Sequence, residues 1–283
     1  MKTRTLISSL LIVGGTAIAG QALAQDQSPI RAASDVGYPP FATVGNDGSY
    51  QGYDIDIAKA ISKQIGRKID VIDQPWSTTY AGLNSGKFDM VLSAAMITKN
   101  RADGMLFAEA YGDATYQFVQ RASDATIESP DDLKGKTIAV NKGNLFDRWL
   151  TERQDQYGWK INRYDKNSDA IQSVASGQTD AALVYSASAG DAANRSPLLA
   201  VSDYVIDNGE VYGYSFRKDD EALRDEVDAA IECLKHDGTL AKLYTKWTGL
   251  EPKADGAVNT IYPGYGQPGF PGYDDTEHDL DCQ

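Results

Sequence analysis

The stretch from Ser93 to Arg101 reads SAAMITKNR, in which an apolar run ends in a polar turn that contains an arginine. An arginine guanidinium offers a planar pair of N–H donors that matches both oxygens of a carboxylate, and it keeps its charge away from water. A loop that follows a buried strand is where an α/β crevice presents its ligand. Arg101 is therefore a candidate carboxylate-binding residue, with a solvated surface arginine as the alternative.

The elements that would position Arg101 alternate between strands and helices. The segment 54–66 has isoleucine and alanine at helical spacing and ends in glycine, which predicts a helix. FDMVLSA and TDAALVYS are short apolar runs typical of buried strands. Strands separated by helices of this length predict an α/β fold with βαβ units and a mostly parallel sheet.

One pattern occurs twice along the chain. STTYAGLNSGKFDMVLSAA and NSDAIQSVASGQTDAALVYSA each read as a helix, a Ser-Gly stop, an aspartate and an apolar strand. This repetition predicts two similar α/β lobes, each with a crevice at the carboxyl ends of its strands. Extended segments at 114–121 and 210–218 would cross between the lobes and act as a hinge.

The first residues have the pattern of a secretory signal peptide. Lys2 and Arg4 precede an apolar run that ends in an Ala-Leu-Ala cleavage site, which predicts a signal peptide at 1–24 and a periplasmic protein. No later segment approaches the roughly 18 consecutive apolar residues that cross a bilayer, so we expect no membrane insertion.

The remaining chain divides into four predicted parts. We expect these to be the first part of lobe 1 at 25–115, lobe 2 at 116–210, the return of lobe 1 at 211–250 and a tail at 251–283. The tail is rich in Pro, Gly and Tyr and cannot be helical, so it should form an irregular strap tied to lobe 1.

Charge and cysteine content limit the partners. The 27 basic and 40 acidic residues give a net charge of −13, and removal of Lys2 and Arg4 with the leader makes it −15, which excludes nucleic acid as an expected partner.

In an oxidising compartment Cys233 and Cys282 more often form a disulfide than stay free, although free thiols remain the alternative. His236 and His278 show no ligand spacing with the cysteines, so we expect no metal and no cofactor.

Six stretches, in order along residues 30–250, carry a family resemblance. They are SDVGYPPF, GSYQGYDIDIAKAI, LNSGKFDMVLSAAMITKNR, DLKGKTIAVNKG, SGQTDAALV and LKHDGTLAKLYTKW. Together they resemble the amino-acid class of periplasmic solute-binding proteins, the bacterial extracellular solute-binding protein family 3. The resemblance implies a type II periplasmic-binding-protein fold of Venus-flytrap architecture. It also implies that two lobes close on one small solute and deliver it to an inner-membrane ABC permease, and we expect a monomer.

The same resemblance implies roles in the first lobe. Arg101 falls where similar receptors place the arginine that grips the ligand's carboxylate. Thr98 and Ser93 would contribute hydroxyl or backbone groups to the same carboxylate, although both residue types also occur in turns for local reasons.

Three aromatic residues are candidates for the wall of the site. Tyr38 and Phe41 flank Pro39-Pro40, where the family often uses an aromatic, and Trp76 lies where related receptors stack a large side chain on the ligand. Such faces supply apolar area and, for a cationic ligand, a cation–π attraction of about 0.5–2 kcal/mol. Core packing is the alternative for each of them.

The second lobe departs from the family pattern. Similar receptors usually end this strand with an aspartate that binds the ligand's ammonium group, but here Tyr185 takes that position. Asn144 and Leu145 replace the two threonines of a Gly-Thr-Thr loop, and Met96 replaces a serine or threonine. A phenol cannot neutralise a buried ammonium, and an unpaired buried cation costs several kcal/mol.

These departures predict a small carboxylate-bearing solute, which could be an amino acid, an amino acid derivative or an organic acid. Ordinary amino acids stay open if Asp35 accepts the ammonium, with an ordinary turn aspartate as its alternative. Asn141, Lys142 and Asn144 could supply donors from the second lobe, unless Lys142 points into solvent.

Two other functions fit the same fold. A few similar bilobal proteins are dehydratases of cyclic acids, but an enzyme needs a general acid or base in its cleft. No histidine stands in a cleft motif of this sequence, so we predict that the protein is not an enzyme. Alternatively, the pocket could be altered or lost, and the tail could dock another exported partner.

Overall fold

The computed structural model describes residues 28–282, so the predicted signal peptide at 1–24 lies outside the described residues. Within them the strands are β1 (Ile30–Ser34), β2 (Thr43–Val44), β3 (Tyr50–Gln51), β4 (Ile69–Asp73), β5 (Met90–Met96), β6 (Met105–Phe107), β7 (Gly112–Arg121), β8 (Thr137–Asn141), β9 (Lys160–Tyr164), β10 (Ala181–Tyr185) and β11 (Leu199–Arg217). The helices are α1 (Tyr53–Ile65), α2 (Trp76–Asn84), α3 (Lys99–Ala102), α4 (Leu145–Tyr157), α5 (Asn167–Ala175), α6 (Ser186–Arg195), α7 (Glu221–His236) and α8 (Thr239–Thr248). None of these helices is long and apolar enough to cross a membrane.

Each lobe contains a parallel unit, as the repeated pattern predicted. In the first lobe β1 pairs in parallel with β4 and β5. In the second lobe β8 pairs in parallel with β9 and β10. Helices α2 and α5 precede β5 and β10, so the two copies of the sequence repeat occupy equivalent positions in the two lobes.

The crossover strands join both lobes into one mixed sheet, whereas the sequence suggested a mostly parallel one. Strands β7 and β11 pair with each other antiparallel over most of the length of β7. β11 also pairs with β5 in the first lobe, and β7 pairs with β10 in the second. The strand order is therefore β4-β1-β5-β11-β7-β10-β8-β9, with β6 added beside β11.

Helix α1 shows how the pattern fixes a local element. Its isoleucines at 55, 57 and 61 are buried. Gly66 ends the helix at φ 66°, a left-handed conformation that glycine adopts without steric cost. The sequence did not predict α6, because SASAGDAANR buries only small side chains such as Ser188 and Ala189.

The tail after α8 has no helix among its described residues and lies on the first lobe. The side chain of Asp228 accepts a hydrogen bond from the Gly266 N–H at 2.9 Å, and the Lys235 Nζ atom donates to the Thr260 carbonyl at 2.7 Å. A disulfide joins Cys233 of α7 to Cys282, which confirms the predicted bond.

Candidate ligand-binding cleft

A cleft lies where the carboxyl ends of the strands in the two lobes face each other. Its space of about 410 Å³, part of it open to solvent, is lined by Asp35, Tyr38, Trp76, Ser93, Ala94, Met96, Arg101, Asn141, Asn144, Leu145, Phe146 and Tyr185. This position is the one at which open α/β sheets bind their ligands. Of the eleven predicted binding residues, the structure brings nine into this lining and leaves out Thr98 and Phe41.

The Arg101 side chain packs against two aromatic rings that also contact each other. Its guanidinium carbon is 5.3 Å from the ring centre of Trp76 and 5.2 Å from that of Tyr80. One terminal nitrogen donates to the Met96 carbonyl at 2.8 Å, a contact within its own lobe. Because a guanidinium has five N–H donors, the remaining donors can serve a ligand.

No carboxylate among residues 28–282 lies within 4 Å of the Arg101 guanidinium, although every other arginine in this range has such a partner. A half-buried charge without a counter-ion is costly, and aromatic faces offset only part of that cost. The cleft therefore presents an unmatched positive charge.

Thr98 and Ser93 lie on either side of Met96 with different surroundings. The Thr98 hydroxyl accepts from the Arg101 backbone N–H at 3.4 Å and caps the short helix α3, so Thr98 faces the outer groove beside the cleft. Ser93 lines the cleft, and its hydroxyl donates to the Ser34 hydroxyl at 3.5 Å. Their contact with a ligand stays a prediction.

Phe41 forms the layer beneath the cleft. Its ring is 1% exposed and packs 5.7 Å from the ring centres of both Tyr38 and Tyr185. Tyr38 is half-buried and reaches the cleft itself. Phe41 thus supports two lining residues, which corresponds to the core-packing alternative given for it above.

Tyr185 connects the lobes. Its hydroxyl donates to the Ala94 carbonyl of β5 at 3.0 Å, and its ring packs edge-on against Phe146 at 4.9 Å. Burial raises the pKa of Tyr185 above its ordinary value, against the opposing effect of Arg101. The residue at the predicted ammonium position is therefore a neutral phenol, and its hydroxyl hydrogen is already used in the hydrogen bond to Ala94.

Asp35 is paired with a cation of the other lobe. The Lys166 Nζ atom lies 3.0 Å from its Oδ1 and also contacts the Asp73 carboxylate. Burial raises the pKa of Asp35 to about 6, while the nearby Lys166 charge acts to lower it. Lys166 could not be predicted as a cleft contact, because nothing local to residue 166 points to a partner in the first lobe.

Two further contacts cross the cleft. The Ser188 hydroxyl donates to the Pro39 carbonyl at 2.6 Å, and the Ser168 backbone N–H donates to the Gly37 carbonyl at 2.9 Å. Together with the contacts of Tyr185 and Lys166, they hold the lobes against each other. The structure is therefore that of a closed two-lobed molecule.

The amide side chains of the second lobe are partly used by the protein. The Asn141 side-chain nitrogen donates to the Asp165 carbonyl at 3.0 Å. The Asn144 side-chain oxygen accepts from the Asp147 backbone N–H at 2.8 Å and caps α4. Lys142 is exposed and does not line the cleft.

Sequence reasoning missed Phe146 in the lining and Tyr80 beside Arg101. Tyr80 follows Trp76 by one helical turn on α2, and that spacing is a signal that could have found it. Among the described residues no group of three or more His, Cys, Asp or Glu side chains could hold a metal ion.

Two α/β lobes joined by two crossover strands around a cleft define a bilobal solute-binding protein. Residues 30–250 match the family model of the bacterial extracellular solute-binding proteins, family 3, and the chain belongs to this family. The match ends where the tail begins.

Two relatives with known names are binding proteins. The chain is 32% identical over 216 residues to the L-cystine-binding protein TcyJ of Escherichia coli (strain K12), covering 76% of this chain and 80% of the relative. It is 29% identical over 224 residues to the arginine-binding extracellular protein ArtP of Bacillus subtilis (strain 168), covering 74% and 82%.

Solved structures share the fold. An ancestral arginine-binding protein bound to arginine superimposes with a TM-score of 0.74 at 31% identity, over 78% of this chain and 98% of the other. The ancestral amino acid-binding protein AncCDT-1, a precursor of cyclohexadienyl dehydratase, gives 0.72 at 32% identity, over 78% and 96%. The fold is thus that of the type II periplasmic binding proteins, as predicted.

Proposed function

We propose that this protein is the periplasmic receptor of an ABC importer and that it captures a small carboxylate-bearing solute between its two lobes. Arg101 binds the carboxylate, and the aromatic and aliphatic lining of the cleft contacts the rest of the solute. Closure delivers the solute to an inner-membrane permease, and the receptor acts as a monomer.

The observation that carries this proposal is the unpaired charge of Arg101. Its guanidinium lines the cleft, packs against Trp76 and Tyr80, and has no carboxylate partner within the described part of the chain. A carboxylate on the solute supplies the missing counter-ion in a fork-to-fork geometry. The named relatives that bind cystine and arginine are consistent with a carboxylate, since both amino acids carry one.

The import role rests on family membership and on the closed arrangement. A solute shifts a two-lobed protein toward its closed form only if it binds that form more tightly. Contacts from both lobes to one solute provide this difference, because they exist together only in the closed form. The predicted signal peptide agrees with a periplasmic location.

Binding can be tested by thermal unfolding after denaturing and refolding the protein to remove carried-over solutes. Probes are L-cystine, L-arginine, benzoate and 3-phenylpropanoate. At a concentration 100 times its dissociation constant, a bound probe stabilises by about 2.7 kcal/mol, which corresponds to a rise in Tm of roughly 5–10 °C. Mass spectrometry should recover the bound compound unchanged, since a receptor does not convert it.

The matched variants are Arg101→Ala and Arg153→Ala. The Arg153 guanidinium carbon also lies over an indole ring, 4.4 Å from the ring centre of Trp149, and Arg153 donates to the Trp149 backbone carbonyl. Unlike Arg101, it does not line the cleft. We expect Arg153→Ala to respond like the wild type and Arg101→Ala to lose the response. The proposal is wrong if no carboxylate raises Tm, or if both variants respond equally.

A further inference from the structure

The charges of the cleft restrict the solute beyond the presence of a carboxylate. Asp35 is the one carboxylate among the described residues that line the cleft. Its Oδ1 lies 3.0 Å from the Lys166 Nζ atom, and 5% of its side chain is exposed. Lys166 also contacts Asp73, but the Asp73 side chain is 42% exposed and keeps contact with water. A ligand ammonium at Asp35 would have to displace Lys166 or lie directly beside it. Both arrangements are unfavourable in a desolvated site.

The position opposite Arg101 offers no replacement charge. Tyr185 is buried, and its hydroxyl donates a hydrogen bond to the Ala94 carbonyl. The Asn144 side-chain oxygen is used by the α4 cap, so the Asn141 side-chain oxygen is the amide acceptor left in the lining. Neutral acceptors, such as this amide oxygen and the Ser93 hydroxyl, cannot offset the desolvation of an ammonium ion.

Other carboxylates near the cleft do not line it. Asp73 contacts Lys166, and Asp147 pairs with Arg163 at 2.8 Å. Burial raises the pKa of Tyr185, and the nearby charge of Glu210 adds to this rise. Glu210 itself belongs to the hinge strand β11 and accepts from the Tyr116 hydroxyl at 3.5 Å. It does not line the cleft. Of the two charged residues that line the cleft, Asp35 has a counter-ion in Lys166, and Arg101 has none among the described residues.

The rest of the lining is apolar or aromatic, with Met96, Leu145 and Phe146 added to the rings of Tyr38 and Trp76. Such surfaces gain free energy from apolar area removed from water. From this lining and these charges we infer that the solute is an organic acid without an ammonium group. Its carboxylate binds Arg101, and an apolar or aromatic body fills the remaining cleft. This inference rests on the proposed carboxylate receptor and narrows its solute class.

The test compares compounds that differ by one group. Isothermal titration with refolded protein measures 3-phenylpropanoate, L-phenylalanine and phenethylamine, which share one carbon skeleton, and then 4-methylpentanoate with L-leucine. We expect each acid to bind at least 10-fold more tightly than its amino acid and phenethylamine not to bind.

Variants of Tyr185 make the comparison specific to charge. Tyr185→Asp introduces a carboxylate at the cleft and should shift preference at least 10-fold toward the amino acids. Tyr185→Phe keeps the ring without a charge and should leave the acid preferred. If Tyr185→Asp does not fold, the wild-type comparison alone decides.

Three outcomes separate the two proposals. Acids that bind more tightly than their amino acids support the inference. Amino acids that bind as tightly as the acids or more tightly, with loss in Arg101→Ala, overturn it and leave the carboxylate receptor standing. If none of the five compounds binds, the inference is wrong, and the carboxylate receptor is then decided by the thermal-shift probes, which include L-cystine and L-arginine.

Discussion

Lys235 of α7 and Glu109 form a fully buried ion pair in the first lobe, with 2.7 Å between Nζ and Oε1. The Lys235 ammonium also donates to the carbonyls of Ala110 and Thr260, so one cation links α7, the segment before β7 and the tail. Burial raises the pKa of Glu109 to about 8, against the opposing charge of Lys235. This pair makes the tail part of the first lobe.

Replacing Lys235 with Met should destabilise the protein strongly. The change leaves Glu109 buried without a counter-ion and leaves two carbonyls without a donor, a loss of about 3–5 kcal/mol. Urea unfolding measures it, with the exposed Lys242→Met as control. The double change Lys235→Met with Glu109→Met should recover part of the loss. A single-variant effect below about 1 kcal/mol would contradict this account.

The disulfide should contribute through the unfolded state. Cys233 and Cys282 are 49 residues apart, and closing such a loop stabilises by about 4 kcal/mol in the chain-entropy model. The double change to serine should lower the free energy of unfolding by this order, measured in urea. Wild-type protein unfolded without reductant should show no thiol that reacts with maleimide. A reactive thiol there would show that the bond is not formed in solution.

Removal of residues 262–283 separates solute binding from docking through the tail. The tail contributes Gly266 and Gln267 to buried hydrogen bonds with Asp228 and the Ala110 N–H, so its loss should lower the Tm. Solute binding by titration should persist below the new Tm, because none of the tail lines the cleft. Loss of solute binding in a truncated protein that still folds would favour a role for the tail in function.

Asp54 should make stability fall as pH rises. Its carboxylate is fully buried in α1 and accepts from the hydroxyls of Tyr111 and Tyr214. Burial raises its pKa to about 7 against the effect of these donors. Between about pH 4 and 7 the folded protein therefore holds a proton that the unfolded chain has lost. The stabilisation is complete at low pH and declines through pH 7, by at most about 1.4 kcal/mol per pH unit.

The measurement for Asp54 is the unfolding free energy at pH 5 and pH 7.5. Asp54→Asn is neutral at both values, so it should lose less stability between them than the wild type does. Other buried acids such as Glu232, whose pKa burial raises to about 8, remain in both proteins and cancel in the comparison. Parallel pH profiles would refute a titrating Asp54.

The contact of Lys166 with Asp35 and Asp73 should favour the closed form. Lys166→Met removes the cation that holds two carboxylates of the other lobe, so the lobes should separate more often. Small-angle scattering without solute should show a larger radius of gyration than for the wild type. The exposed Lys160→Met on β9 serves as control. An unchanged radius would mean that this contact does not set the lobe equilibrium.

The sequence predicted the local elements well. The isoleucine spacing of α1 and the apolar runs of β5 and β10 depend on neighbours in the chain, and the helices and strands form where these patterns lie. Arg101 and Tyr185 could be placed at the cleft for the same reason, because each follows or ends a recognisable strand.

How groups far apart in the chain meet depends on three-dimensional packing. The sequence predicted Tyr185 as a cleft residue, but the hydrogen bond from its hydroxyl to the Ala94 carbonyl could not be predicted from the strand that contains it. Phe41 lies beneath the cleft, and Thr98 lies outside it. Lys166 forms an ion pair with Asp35. Periodicity reports which face of an element is buried, whereas an ion pair between lobes depends on how segments far apart in sequence pack. The charge left unmatched in the cleft is a property of that packing.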